Sequence, residues 1–404
     1  MRRLERRPLA LLFGAGAVAG LGLGLAAIGH VAETRTSPLE PDGEVWRVLL
    51  VGGLFASFAC YLAGLAALRR RIGPVAAVAA VAVVVQLAPL AAPLLLSRDV
   101  YLYWDYGRIV TVHDGNPYSD FPEQWPDDPA FRAMSSAWAR LRSPYGPAWM
   151  LADAAGAKAA GTSASTAAWF FRVAAAVAAL VIIGTVAWST RSAFAVALVG
   201  WNPLLALHFA GGGHADAWMM ALVAVALALG ARRAAAGGAA WAVALAVKVA
   251  ALAFLGLELV HRLRRRSARW FAGLAGAGVV AIAVATVLFG PDWLRAAGPI
   301  SNQLRESNSI GLPTRISELG ISLHAAQVLV ALLFAVLYAW LLLEAWRGRR
   351  RLSLAAGALA LTVAWLQPWY ASWPVVLAAF DRDHVGTALG LGLSGYVLLD
   401  ALPI

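Results

Sequence analysis

The sequence predicts an all-α fold: a polytopic helical membrane protein with about 11–13 transmembrane helices and one large external loop. Three observations carry this. Apolar residues make up 61% of the chain, and mean hydropathy is +0.69, well beyond the balance of a soluble domain. Several apolar runs reach about 18–24 residues, enough to cross a hydrocarbon core of ~30 Å. The basic residues gather in short loops: Arg2, Arg3, Arg6 and Arg7; Arg69–Arg71; Arg262 to Arg269; Arg347 to Arg351. That is the positive-inside pattern. A β-barrel would show short alternating segments, which the chain lacks. The 404 residues read as a single integral membrane domain, 1–404, without a separate soluble domain.

Residues 9–28 follow a basic start and read as an uncleaved first helix, because the run is long and many spans follow. A short polar loop, 29–45, leads to a second helix at 46–68, which ends inside at Arg69-Arg70-Arg71. A third, 74–96, then places 97–143 outside, in a loop too long to be a simple connector. Five apolar segments follow: 145–160, 165–188, 193–209, 214–231 and 236–258. Five crossings return the basic run 261–269 to the inside, but place His214 and Asp216 inside too. If 145–160 is re-entrant, His214 and Asp216 move outside, and one later segment must then also fail to cross. Charge counting leaves both arrangements open. Residues 270–290 lead out to a second external loop, 291–322, and 323–345 leads back. Residues 352–368 lead out to Gln367-Pro368-Trp369-Tyr370, and the short segments 371–380 and 385–402 follow.

The stretch 97–149 concentrates seven of the 22 acidic residues and many Tyr and Trp. Asp99 opens a short helix, 99–110, where the dipole favours an ionised carboxylate. It can act as a base on a hydroxyl or serve as a helix cap beside Arg98. Asp105 lies about 120° round that helix from Asp99, and i,i+3 spacing allows it to pair with Arg108. Asp114-Gly115-Asn116-Pro117-Tyr118 reads as a turn, and Ser143-Pro144-Tyr145-Gly146-Pro147 as a rigid bend. Residues 119–132 form a surface loop or a platform for a sugar ring.

Further along, Gly211-Gly212-Gly213 breaks the chain before His214 and Asp216. Ionisable groups at membrane depth are costly and point to function; capping is the other reading. Lys248 stands alone in the apolar run 239–258. It must pair, with Asp216 for example, snorkel, or bind an anion such as a lipid phosphate. Arg305 and Arg315 are either phosphate ligands or ordinary surface charge. The local pair His214 and Asp216 supplies too few ligands for a metal. The single Cys60 excludes an internal disulfide and a thiolate metal site. No P-loop and no strand-borne GxGxxG occurs, so no nucleotide fold and no cofactor are expected. A basic patch interleaved with aromatics is also missing, which argues against nucleic acid as a partner.

At these residues the sequence resembles the GT-C glycosyltransferases that use polyprenyl-phosphate sugars. Within them it is similar to the actinobacterial polyprenyl-phosphomannose-dependent α-mannosyltransferases. The likeness rests on Arg98-Asp99-Val100-Tyr101 with Gly107-Arg108 and Asn116-Pro117-Tyr118; Ser143-Pro144-Tyr145-Gly146-Pro147; Asn202-Pro203-Leu204 with His214-Ala215-Asp216; Val247-Lys248; and Pro368-Trp369-Tyr370 with Trp373. The family's usual His-Asn-Asp is here His214-Ala215-Asp216.

The resemblance implies a GT-C-like membrane enzyme of the cell envelope, with its active site on the extracytoplasmic side. It moves a hexose, most simply mannose, from a polyprenyl-phosphate donor to a glycolipid or glycan hydroxyl with inversion. Asp99 takes the place of the general base. Arg98, His214 and Lys248 are candidates for the donor phosphate. Tyr101, Asp105, Arg108, Tyr118, Tyr145, Asp216, Trp369 and Tyr370 are candidates for substrate contacts. The rival class is a membrane transporter or a flippase for lipid-linked sugars, since intramembrane charges suit either. The lack of an internal repeat and the large acidic, aromatic loop favour the enzyme. A non-catalytic scaffold leaves the polar cluster at 97–147 unexplained.

Overall fold

The computed structural model describes residues 7–34, 43–69, 74–94, 97–296, 298 and 306–400. Arg2, Arg3, Arg6, Arg70, Arg71 and Arg305 lie outside the described residues. In order, α1 spans Arg7–Thr34, α2 Glu44–Leu68, α3 Val75–Leu87 with a 3-10 turn at Ala88–Ala91, and α4 Asp99–Thr111. Next come α5 Pro129–Ala133, α6 Pro147–Ala160, α7 Ala164–Thr190, α8 Ala193–Gly200, and α9 Pro203–Ala206 running into a π-turn at Leu207–Gly211. Then α10 covers Asp216–Gly230, α11 Ala234–Val247, α12 Ala251–Arg264 and α13 Ala268–Phe289. Finally α14 is Leu312–Ser317, α15 Leu323–Trp346, α16 Leu352–Thr362, α17 Ser372–Asp381 and α18 His384–Tyr396. There is no strand among the described residues, and the polytopic helical class stands.

Local sequence sets many of these boundaries. Ser163, Ser192 and Ser322 each accept a backbone N–H as the N-cap of α7, α8 and α15. Pro147 and Pro203 sit in the first turn of α6 and α9, where no backbone donor is needed.

Among the described residues five helices are long and apolar enough to cross a membrane: Leu9–Ala32, Glu44–Leu68, Ala164–Thr190, Ala268–Ala296 and Leu323–Trp346. The pair Ala193–Gly200 and Pro203–Gly211 passes together, bent by 49°. Val75–Ala91, α10, α11 and α16 are shorter apolar helices. Several expected segments are therefore interrupted. The run 193–209 breaks at Trp201-Asn202-Pro203. The Gln86 amide there donates to the freed carbonyls of Gly200 and Asn202, each at 3.2 Å, as an apolar setting requires. The run 352–368 stops at Thr362 and continues without helix to Gln367. The run 236–258 splits at Lys248 into α11 and α12.

Contacts at the helix ends define two poles. At one, Arg232 lies over Trp188, Arg262 donates to the Gly230 carbonyl, Arg350 meets Glu258 and Arg351 meets Asp383. This is the arginine end. At the other, Asp99 meets His214, the Asn116 amide donates to the Phe289 carbonyl and the Gly146 N–H donates to the Val247 carbonyl. This is the loop end. From α7 onward the chain alternates between the poles: α7 toward the arginines, α8–α9 back, α10 toward, α11 back, α12 toward, α13 back.

Helix α6 does not join the alternation. It begins at the loop end and finishes at Gly161, whose carbonyl accepts from Arg108 of α4 at 2.6 Å. Helices α4 and α6 lie so close that a Cβ on Gly107 would sit 2.0 Å from the Asp153 carbonyl. The open question of 145–160 is answered by two departures that occur together. Residues 145–160 stay at one pole, and 236–258 is two short helices meeting at Lys248, each about 21 Å long. His214 and Asp216 consequently lie at the loop end.

The core is filled by Trp104, Trp149, Trp201, Trp241, Tyr103 and Phe171, all buried. Helices α13 and α15 instead expose Val279, Val280, Ile282, Val287, Leu332, Leu333 and Val336, the apolar surface of helices bathed in lipid.

Candidate active site

Asp99 is the first residue of α4, yet its side chain does not cap the helix. Its Oδ1 instead accepts from the Ser97 hydroxyl at 2.9 Å, and its backbone N–H donates back to Ser97 Oγ at 3.1 Å. Its Oδ2 lies 3.2 Å from His214 Nδ1. That ring is not aligned for a hydrogen bond, and neither of its nitrogens has one among the described residues. The contact is therefore one of proximity. Asp99 is 7% exposed, and the open part faces a cavity.

His214 is 0% exposed. It is wedged between Asp99 and the Trp369 indole, which stacks on it at 3.7 Å with a 22° interplanar angle. The glycine break makes this possible. Gly213 has φ +70, and a Cβ there would stand 2.6 Å from Val100, so only glycine fits without strain. Arg172, buried on α7, fixes the same loop. It donates to the carbonyls of Ala210 at 3.0 Å and Ala92 at 2.7 Å, and also to that of Pro89. One guanidinium thus satisfies carbonyls at two broken helix ends, tying the His214 loop to the chain that leads into Asp99.

Lys248 lies where α11 gives way to α12. Its Nζ donates to Asp216 Oδ2 at 2.7 Å, and Trp373 Nε1 donates to Asp216 Oδ1 at 2.8 Å. The rings of Tyr370, Tyr145 and Trp373 stand 5.2, 5.9 and 6.0 Å from the ammonium, within cation–π range. Asp216, the first residue of α10, thus serves as the counter-ion of Lys248. The backbone approach is close here as well: a Cβ on Gly146 would lie 2.2 Å from the Ala246 carbonyl, which explains the glycine after Tyr145.

The cavity has a volume of about 750 Å³, in the ~300–1,000 Å³ range of ligand sites. Among the sequence candidates, Arg98, Asp99, Tyr145, Lys248, Trp369 and Tyr370 line it. Opposite in character to this polar group is an apolar wall of Leu252 and Ala253 from α12, Phe334 and Tyr338 from α15, and Leu359 and Val363 at the end of α16. Of the two lining cations, Lys248 has a carboxylate and Arg98 has none among the described residues.

The other candidates are not brought to the cavity. His214 and Asp216 stand behind its wall, and Tyr101 is outside its lining. The Tyr118 hydroxyl donates to the Tyr145 carbonyl at 3.0 Å and so braces the bend. Arg108 does not take up Asp105, its i,i+3 neighbour. It is drawn to Asp128, donating from Nε at 2.7 and 2.9 Å. Arg315 is exposed, pairs with Glu318 at 3.0 Å, and lies away from the cavity.

Asp128 is a centre that spacing could not reveal. It also accepts from the Ala130 N–H at 2.9 Å and lies 2.7 Å from His113 Nε2. Burial pushes its carboxyl up, but Arg108, the Ala130 N–H and His113 more than offset this and hold it below the usual range. Asp105, not hydrogen-bonded to Arg108, is pushed up to about 7 by burial and by the Asp128 charge, against the opposing Arg108 charge. Arg172 and Gln86 were missed for the same reason as Asp128: each acts on groups distant in sequence. Among the described residues no group of three or more His, Cys, Asp or Glu could hold a metal.

The chain is similar to known proteins. It is 28% identical over 355 residues to alpha-(1->6)-mannopyranosyltransferase A of Mycobacterium tuberculosis, covering 76% of this chain and 67% of that one. It is also 28% identical over 359 residues to alpha-(1->6)-mannopyranosyltransferase B of Corynebacterium glutamicum, covering 75% of this chain and 58% of the relative. The alignments thus span about two thirds of the first relative and less of the second. No solved structure matches the chain. Residues 10–264 match the family described as alpha-(1->6)-mannopyranosyltransferase, N-terminal domain. That stretch holds Asp99, His214, Asp216 and Lys248, while the segment from Val363 to Trp373 that closes the cavity lies beyond it. With well over half of its length inside that match, the chain belongs to the alpha-(1->6)-mannopyranosyltransferase family.

Proposed function

We propose that this protein is a membrane mannosyltransferase that moves mannose from a polyprenyl-phosphate donor to a hydroxyl of a glycolipid or glycan, with inversion. One observation carries the reading. A single cavity joins the Asp99 carboxylate and the Arg98 guanidinium, which has no carboxylate partner among the described residues, to an apolar wall. A sugar alone needs no such wall, whereas a lipid-linked sugar phosphate needs both parts. The names of the relatives support mannose and a glycosyl transfer.

In this reading Asp99 takes the proton of the acceptor hydroxyl. The hydroxyl oxygen attacks the anomeric carbon from the face opposite the phosphate, forming the new C–O bond. The bond from that carbon to the phosphate oxygen breaks, and the electron pair leaves with the lipid phosphate. Arg98, the lining cation without a competing carboxylate among the described residues, meets the growing charge, and Lys248 adds its remaining N–H groups. Ser97 holds the Asp99 carboxylate in place through its hydroxyl, and His214 packs beside it. The arginine end is the cytoplasmic side by the positive-inside rule, which sets the cavity toward the extracytoplasmic side of the cell membrane.

The test is transfer by the purified protein in lipid, given polyprenyl-phosphate-mannose and a panel of glycolipid acceptors, with Asp99→Asn in parallel. Transfer that the variant loses supports the reading. Donor binding and translocation across the bilayer, with no transfer to any acceptor, would turn it into a flippase.

A further inference from the structure

The donor accounts for one part of the cavity. A second part is distinguished by what its side chains lack. Half-exposed side chains that line a cavity without a protein partner are the ones free to meet a ligand. Most cavity aromatics are already engaged. Trp369 stacks on His214, Tyr370 on Trp373 at 4.4 Å, Tyr145 meets Tyr103 edge-on, and the Tyr338 hydroxyl donates to the Ala253 carbonyl at 2.8 Å.

Trp138, Trp365 and Gln367 differ. They line the cavity. Among the described residues neither indole packs against another ring, neither indole N–H has an acceptor, and the Gln367 amide has no hydrogen-bond partner.

The chemistry of this set is uncharged: flat apolar faces, two N–H donors, and an amide that donates and accepts. It suits a neutral polyhydroxylated ring better than a phosphate. Trp138 is also fixed in position. It ends the 3-10 turn Ser136–Trp138, whose start is capped by Ser135. Neighbouring backbone bonds secure it, from Glu123 N–H to the Ala139 carbonyl at 2.8 Å and from Leu141 N–H to the Trp138 carbonyl at 2.9 Å. The wall it belongs to, with Ser135, Leu141 and Pro144, comes from the loop before α6, while the apolar wall comes from α12, α15 and α16. A ring on Trp138 is therefore not held on the wall that suits the lipid tail.

We propose that Trp138 is the stacking platform of an acceptor subsite for a neutral saccharide, with the Trp365 indole and the Gln367 amide binding its hydroxyls. This rests on the mannosyl-transfer reading and deepens it. The arrangement puts an acceptor ring on the loop wall of the cavity that Asp99 faces.

Two measurements test it. The first compares Trp138→Ala, Trp138→Phe and Gln367→Ala with the unaltered protein in transfer to an alkyl mannoside, and in transfer to water from the same donor. Trp138→Ala and Gln367→Ala are expected to raise KM for the mannoside at least tenfold. Donor KM and transfer to water are expected to stay within twofold, and Trp138→Phe to recover much of the loss. An unchanged mannoside KM overturns the proposal, as does an equal rise in donor KM, which would move the ring to the donor sugar. The second is direct binding of the alkyl mannoside, against an alkyl chain without sugar, to the protein in lipid nanodiscs. It reads the subsite even if no transfer occurs. Sugar-dependent binding lost in Trp138→Ala supports the subsite while the transferase reading fails alone; no sugar-dependent binding to the unaltered protein overturns the subsite.

Discussion

The two poles of the molecule use the same residue types to opposite effect. At the arginine end the buried carboxylates are matched. Glu258 accepts from Arg262 at 2.6 Å and from Arg350 at 2.9 Å. Glu344 takes Arg347 and Arg349, Asp383 takes Arg351, and Asp381 accepts the Ser353 N–H and hydroxyl. At the loop end the matching stops short. Arg98 has no carboxylate among the described residues, Asp99 turns one edge to a cavity, and Asp105 has lost its guanidinium to Asp128. A satisfied polar network holds helices together, whereas an unsatisfied one beside a cavity is prepared for a ligand. How fully the buried carboxylates are partnered, rather than charge density, separates the two poles: Asp153 at the loop end has neither oxygen bonded among the described residues.

Four substitutions sharpen or break this contrast. The largest expected effect is at the loop end: Asp99→Asn lowers the transfer rate by about 10²–10⁴-fold, the usual worth of a positioned base, with folding and donor binding retained. A fully active variant would remove Asp99 from the mechanism. At the arginine end the outcome should be the reverse. Glu258→Ala strands two guanidinium groups beside a buried site and costs about 3–5 kcal/mol of stability. The fraction that stays folded should transfer sugar at the unaltered rate; a specific loss of turnover would show that the arginine end also serves catalysis.

The third concerns pH. Asp105 lies on α4, which does not run between the poles, and its carboxyl is pushed up from 3.8 to about 7. The folded state holds this proton more tightly than the unfolded one, so the contribution is full below about pH 4. It falls as pH rises from about 4 to 7, by up to about 4 kcal/mol, and levels off above. Asp105→Asn should therefore raise the Tm more at pH 8 than at pH 5. The same pH slope in both proteins would assign it to another group. The smallest effect is expected from Arg98→Gln, a loss of about 1.5–3 kcal/mol in charge-assisted bonding. It should appear as a rise of roughly 10–100-fold in donor KM with acceptor KM unchanged. If Lys248→Met alone weakens the donor, the phosphate lies nearer α12 than α4.

Much of the site could be read from the chain, though not its assembly. Asp99 and Lys248 stood out because charge is conspicuous against Ala, Leu and Val, the family resemblance added Arg98, Tyr145, Trp369 and Tyr370, and all six line the cavity. His214 and Asp216 stood out for the same reason, yet they support the cavity from behind. Sequence shows that a buried ionisable group needs a reason, but not whether the reason is a ligand or a neighbour. Arg108 illustrates the limit. Helical spacing offered Asp105, while the fold supplied Asp128, which is more fully hydrogen-bonded.

Composition and the arginine loops by themselves determined the helical membrane class, because lipid leaves the backbone few ways to satisfy its polar groups. A local signal, the triple glycine before His214, marked one helix break, while the break at Asn202-Pro203 fell inside a run read as one segment, 193–209. Only the tertiary structure decided that α6 stays at the loop end and that 236–258 folds back at Lys248. An apolar run of about 20 residues satisfies a straight span and a hairpin of two short helices equally well until an outside partner breaks the tie. Here the partner is Asp216, 32 positions away in sequence, whose carboxylate holds the Lys248 ammonium at 2.7 Å. It removes the cost of leaving a charge in an apolar turn, and so fixes both the break and the cavity beside it.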